Sequence, residues 1–171
     1  TVNQRLTLSI NRWYNEQQYS CAVWPSINVM PFTEWLTAIN QHYIKDQRYC
    51  LTALQEGCLW DDIIENQATY ALLQPQLTAQ LARQTFHLLQ EWQVGLDQLN
   101  DSDSVEVHSF LQWASLFNER CKAEQWITSA AYIDLILSAL KDKAINLPNT
   151  IILYGFDHFS PAQRALINAL E

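Results

Sequence analysis

Acidic side chains at helical spacing are the first place to look for chemistry in this chain. Asp61-Asp62 with Glu65 one turn on would set Asp61 and Glu65 on one helical face. Such a pair can hold a divalent cation, but the third and fourth ligands are missing here, and a solvated face is the plainer reading. Asp157-His158 follow an apolar run, where α/β proteins place reactive groups, although a solvent-facing turn uses the same residue types. His42, His87, His108 and His158 never fall at i, i+4, and neither HExxH nor GxSxG occurs. The phosphate-loop pattern GxxxxGK[ST] is absent too. That removes the ring of backbone N–H donors, the lysine for the β- and γ-phosphates and the hydroxyl for Mg²⁺. The run Ile151-Ile152-Leu153 ends at Tyr154 instead of a carboxylate, and Asp157 comes three residues later. These residues are expected to contain no catalytic residue, no metal ligand set and no cofactor-binding residue, and to hydrolyse no ATP.

Cys21, Cys50, Cys58 and Cys121 form no CxxC pair, which speaks against structural zinc. Cys50 and Cys121 read as small buried hydrophobes in a reducing cytosol, so a cytoplasmic location is expected. The formal net charge is -8, from 18 acids and 10 bases. Neutralising several phosphates takes clustered lysine and arginine. Arg5 with Arg12, and Arg120 with Lys122, are sparse groups that serve equally well as ordinary solvated residues. A strong autonomous DNA binder is therefore not expected. No apolar run approaches the roughly 18 residues of a membrane span, and no signal-peptide pattern opens the chain. Thr1 to Leu6 reads as the middle of an element, and Ala165 to Glu171 stops inside a helical pattern, so a piece of a longer protein is expected.

These groups must be positioned mainly by helices, because three glycines and five prolines are too few for an all-β fold. Apolar residues at a period of three to four predict helices over 4–18, 32–46, 51–69, 76–93, 105–124 and 130–143. Gly95 is expected to end the fourth of these, and Thr128 or Ser129 to cap the last. Ile27 to Met30 predicts a short strand that Pro31 must terminate. Residues 150–154 predict a second, buried strand. It feeds a helix over 161–170, with Ser160 as its cap and Pro161 at its first position. The expected fold is α/β and strongly helix-rich, with 27–30 and 150–154 as parallel neighbours and a helical lobe inserted between them. The rival is an essentially all-helical bundle with incidental extended pieces.

Several motifs carry a family resemblance: Thr1-Val2-Asn3-Gln4-Arg5-Leu6, Trp24-Pro25 ahead of Ile27 to Leu36, Phe86 to Trp92, Phe110 to Ala114, and Tyr154 to Gln163. In this order they resemble the amino-terminal part of bacterial DNA repair proteins similar to the AddB subunit of the AddAB helicase–nuclease, in which helicase-like domains precede a PD-(D/E)XK nuclease domain. The resemblance implies a partial, inactivated P-loop NTPase-like sheet: residues 1–48 as the first part of the core, 49–147 as the inserted helical lobe, and 148–171 as the return to the core. It puts the opening motif where helicase cores touch DNA, making Asn3, Gln4, Arg5 and Arg12 the expected contacts. It also puts Tyr154, Gly155, Phe156 and Asp157 at a degenerate strand-end motif, with tyrosine where relatives carry aspartate. Nuclease residues would lie beyond Glu171. The implied role is a catalytically inactive structural and DNA-contacting segment, with DNA and a helicase–nuclease subunit as partners through the full-length protein and no membrane. The alternative is a helical protein-interaction module anchored by Trp13, Tyr14 and Trp24.

Overall fold

The computed structural model describes residues 1–67, 74–142 and 147–170. Its architecture is mostly helical, with one small two-stranded parallel sheet. In chain order the elements are α1 (Gln4–Gln17), α2 (Phe32–Ile39), β1 (Tyr49–Cys50), α3 (Ala53–Gln67), α4 (Pro75–Trp92), α5 (Val105–Ala123), β2 (Trp126–Ile127), α6 (Ala131–Lys141) and α7 (Pro161–Leu170). A turn of π-helix, Asn40–Ile44, extends α2, and a 3₁₀ turn, Leu96–Leu99, links α4 to α5.

Local chemistry explains the helix ends. Asn3 Oδ1 accepts from Leu6 N at 3.0 Å and starts α1. Thr52 and Gln55 form a capping box ahead of α3: Thr52 N donates to Gln55 Oε1 at 2.9 Å, and Gln55 N donates to Thr52 Oγ1 at 3.3 Å. Ser160 and Gln163 repeat the device at α7, at 3.0 and 3.3 Å, with Pro161 first in the helix as the sequence predicts. Helix α4 ends differently from expectation. Gln93, with φ 55, adopts the left-handed conformation two residues before Gly95. Neither Thr128 nor Ser129 caps α6 through its side chain; Ala130 stands at that position.

Two cores hold the helices. The first lies between α3, α4 and α5, where Trp60 stacks on Phe117 (centroids 4.7 Å apart, planes at 14°) and Phe86 closes the cluster edge-on to Phe117 at 5.2 Å. The second joins α2, α6 and α7 through Leu36, Ile39, Ile136 and Leu166. The sheet lies where the two cores meet, with Leu51 in the first and Ile127 in the second. Tyr49 pairs with Trp126 and Cys50 with Ile127.

The expected pairing of 27–30 with 150–154 does not form. Neither segment forms a strand, no backbone hydrogen bond joins them, and the parallel pair lies instead between 49–50 and 126–127. Beside residues 27–30, Phe32 N donates to Thr1 O at 2.8 Å. The two sequence-predicted strands face each other across a groove instead.

Candidate functional site

That groove has a volume of about 830 Å³. One wall is the face of α1 formed by Leu6, Ser9, Ile10 and Trp13, whose spacing of three and four places them in one stripe. Ile27 to Met30 form a second wall and Thr150 to Tyr154 a third. No charged side chain lines it. Trp13, Ile152 and Tyr154 are all more than half exposed. Such apolar surface, left open to water, marks a contact site more often than a solvated face. The rims matter as much as the lining. Residues 147–159 make no hydrogen bond to other backbone among the described residues, so their N–H and C=O groups are open to a partner.

Gly155 sets the shape of the third wall. Its φ of +84 is open to glycine at no steric cost, and an added Cβ would run into Leu6 Cδ2. The backbone therefore crosses directly over α1 and turns Phe156 inward, where its ring meets Phe32 edge-on at 5.8 Å. Of the degenerate strand-end motif, Tyr154 faces the groove, Gly155 makes the turn, Phe156 packs inward, and Asp157 with His158 stands in solvent.

The four expected DNA contacts all lie at or on α1 and are exposed. Asn3 is engaged as the helix cap, and Arg12 Nε is paired with Glu16 Oε1 at 2.9 Å. Gln4 and Arg5 make no side-chain hydrogen bond or ion pair with other described residues. Among the expected interaction anchors, Tyr14 donates to Pro25 O at 3.1 Å and Trp24 Nε1 donates to Asn15 Oδ1 at 3.1 Å. Those two tie the 24–25 junction to α1, which leaves Trp13 as the aromatic presented to the groove.

Of the acidic side chains that opened the sequence reading, Asp62 and Glu65 have structural partners, and Asp61 has none among the described residues. Asp62 is ion-paired with Arg120 and accepts from Asn66, while Glu65 accepts from Gln76. No group of three or more His, Cys, Asp or Glu side chains is placed to hold a metal ion among the described residues. Burial pushes the Cys121 thiol up to about 11, with the Glu56 carboxylate adding to the effect. Burial also raises the Cys50 thiol, despite its contact with the Tyr132 hydroxyl. Among the described residues, no helix is long and apolar enough to cross a membrane.

Comparison with protein-family models, with curated proteins and with solved structures finds no match.

Proposed function

We propose that this chain is a non-catalytic structural and interaction segment that seats an extended polypeptide strand in the groove between α1, residues 27–30 and residues 150–154. The observation that carries the reading is a groove lined by no charged side chain, one rim of which, residues 147–159, makes no backbone hydrogen bond among the described residues. A strand laid there would gain main-chain hydrogen bonds from the rim and bury alternate apolar side chains against Ile10, Trp13 and Val29. The resemblance of the Thr1–Leu6 and Tyr154–Gln163 motifs to AddB-like proteins supports a wider role in DNA repair, within a helicase–nuclease-type protein whose chemistry lies elsewhere. A lysine-flanked peptide of alternating valine and threonine, titrated against the intact chain, tests the seat. Saturable binding that slows amide exchange at Val29 and Ile152, and that a proline-interrupted peptide fails to reproduce, is the expected result. No binding, or binding that survives Trp13→Glu with Ile152→Glu, would discard it.

Direct DNA contact is the second reading, favoured by exposed Arg5 and Gln4 at the start of α1. Their amide and guanidinium donors suit phosphates without specifying bases. Salt-dependent binding of tailed DNA that weakens in Arg5→Glu with Arg12→Glu would support it. An unchanged affinity and salt slope would leave the strand seat alone.

A further inference from the structure

Helix α4 is apolar on two sides, and only one of them is used inside the molecule. Ala79, Ala82 and Phe86 are buried in the core shared with α3 and α5. Leu77, Leu81, Leu88 and Trp92 lie on the far side and are 48, 54, 54 and 58% exposed. Their spacings of four, seven and four residues hold all four within about 60° of the helix circumference, at 3.6 residues per turn. Single exposed apolar residues are ordinary, but three leucines and a tryptophan in line along an 18-residue helix form a patch. Helix propensity does not call for them, because glutamine or lysine would serve an exposed face without wetting apolar surface.

The stripe has the same spacing read from either end. Leu77 and Trp92, and likewise Leu81 and Leu88, stand symmetrically about the step between Gln84 and Thr85. A two-fold axis at that step lays a second α4 antiparallel on the first. Leu77 then meets Trp92 of the second copy, and Leu81 meets Leu88, as a self-complementary contact requires. An unrelated partner would demand no such symmetry. The charges agree with a second copy. A net charge of -8 sets two chains against each other over much of their surface, yet Glu91 is the one charged residue among the exposed positions of α4. In the antiparallel pair each Glu91 falls beside Thr78, in the first turn of the other α4, where the helix dipole favours a carboxylate. The two Glu91 residues stand about 20 Å apart along the axis, at 1.5 Å rise per residue, beyond the reach of strong repulsion in salt. Four half-exposed large side chains fall within the roughly 300–600 Å² of a functional apolar patch. With their polar flanks they approach the roughly 800 Å² per partner of a standard interface, which suits a reversible dimer.

We infer that the outward face of α4 is a homodimer interface, on which two copies of this chain pair antiparallel about an axis between Gln84 and Thr85. Sedimentation equilibrium of the intact chain between about 1 μM and 1 mM should show a monomer passing reversibly to a dimer. Leu81→Glu with Leu88→Glu, both at exposed positions, should stay monomeric over that range with an unchanged circular dichroism spectrum. Trp13→Glu with Ile152→Glu, in the groove, should leave the dimer intact. Cysteine cross-linking reads the orientation, in a chain whose exposed native thiols are removed by Cys21→Ser and Cys58→Ser. Gln84→Cys faces its own copy across the axis and should give a disulfide-linked dimer on oxidation, since a disulfide needs Cα atoms about 4.4–6.8 Å apart. Leu77→Cys, separated from its own copy by about 22 Å along the axis, should not. A chain that is monomeric at every concentration would leave the stripe to some other protein and overturn the inference. So would a dimer indifferent to the paired glutamates, a dimer lost with the groove variant, or Leu77→Cys linking as readily as Gln84→Cys.

Discussion

Glu56 Oε1 lies 2.7 Å from His87 Nε2, joining the first turn of α3 to the middle of α4, with the carboxylate side chain only 5% exposed. The approach is close without the alignment of a directed hydrogen bond. The carboxylate also faces the amino end of its own helix, which favours negative charge. Removing one partner strands the other. His87→Ala should destabilise the fold by about 1–3 kcal/mol, because it leaves the buried Glu56 side chain without the polar group that meets it. Glu56→Gln, which keeps the shape and removes the charge, should cost less. Urea unfolding of both variants checks this, and a His87→Ala midpoint equal to that of the parent chain would show that the contact contributes nothing.

Trp60 is fully buried and stacked on Phe117, and its indole N–H has no partner among the described residues. Trp60→Ala should cost about 3–5 kcal/mol through the cavity it opens. Trp60→Phe should cost far less, since it removes an unsatisfied donor along with part of the ring. Thermal unfolding followed by circular dichroism reads the difference. Equal losses in the two variants would mean that the orphan N–H carries no penalty.

Asp46 titrates below the ordinary carboxylate range, chiefly because the Arg48 side chain donates to it. A carboxylate depressed in the folded state contributes stability that is complete above its unfolded pKa, about 3.9, and is lost as pH falls through the lower folded value. Asp46→Asn should therefore be less stable than the parent by about 1 kcal/mol near neutral pH. The gap should narrow below about pH 4 and vanish in stronger acid. Denaturant midpoints measured from pH 7 down to pH 2 test the sign. A gap that widens in acid would refute it.

Gln93 and Gly155 both have positive φ, at 55 and 84, but only one of them is a glycine. Gln93→Gly should stabilise the chain by about 0.5–1 kcal/mol by relieving the left-handed cap of α4. Gly155→Ala should destabilise it by about 1–2 kcal/mol, through backbone strain and the collision with Leu6. Opposite shifts in the unfolding midpoint are the expected pair of results.

Helices with broad apolar stripes were legible in the sequence. Ala82, Phe86 and Leu89 on α4, and Phe110, Trp113 and Phe117 on α5, repeat at helical spacing whatever packs against them. Ser160-Pro161 announced α7 for the same local reason. The sheet was not legible, because β1 and β2 are two residues each and too short to alternate. Ile27 to Met30 and Ile151 to Leu153 carry strand-forming residues, yet strand propensity becomes a ladder only where a neighbour supplies the other half of each hydrogen bond. Of the expected site residues, α1 does gather Asn3, Gln4, Arg5 and Arg12, while the capping role of Asn3 needed the helix start to be fixed first.

The contact between Tyr49 and Trp126 also bears on the order in which this chain assembles. Tyr49 N donates to Gln125 O and Leu51 N to Ile127 O, each at 2.9 Å, and α3, α4 and α5 all lie between the two strands in sequence. Closing so long a loop costs entropy before any pairing is gained, and two residues of strand return little of it. The three-helix unit should therefore form early, and the parallel pair should close last, as a latch between two cores already built. In a refolding time course, the amides of Tyr49 and Leu51 would be the last of the core to resist exchange.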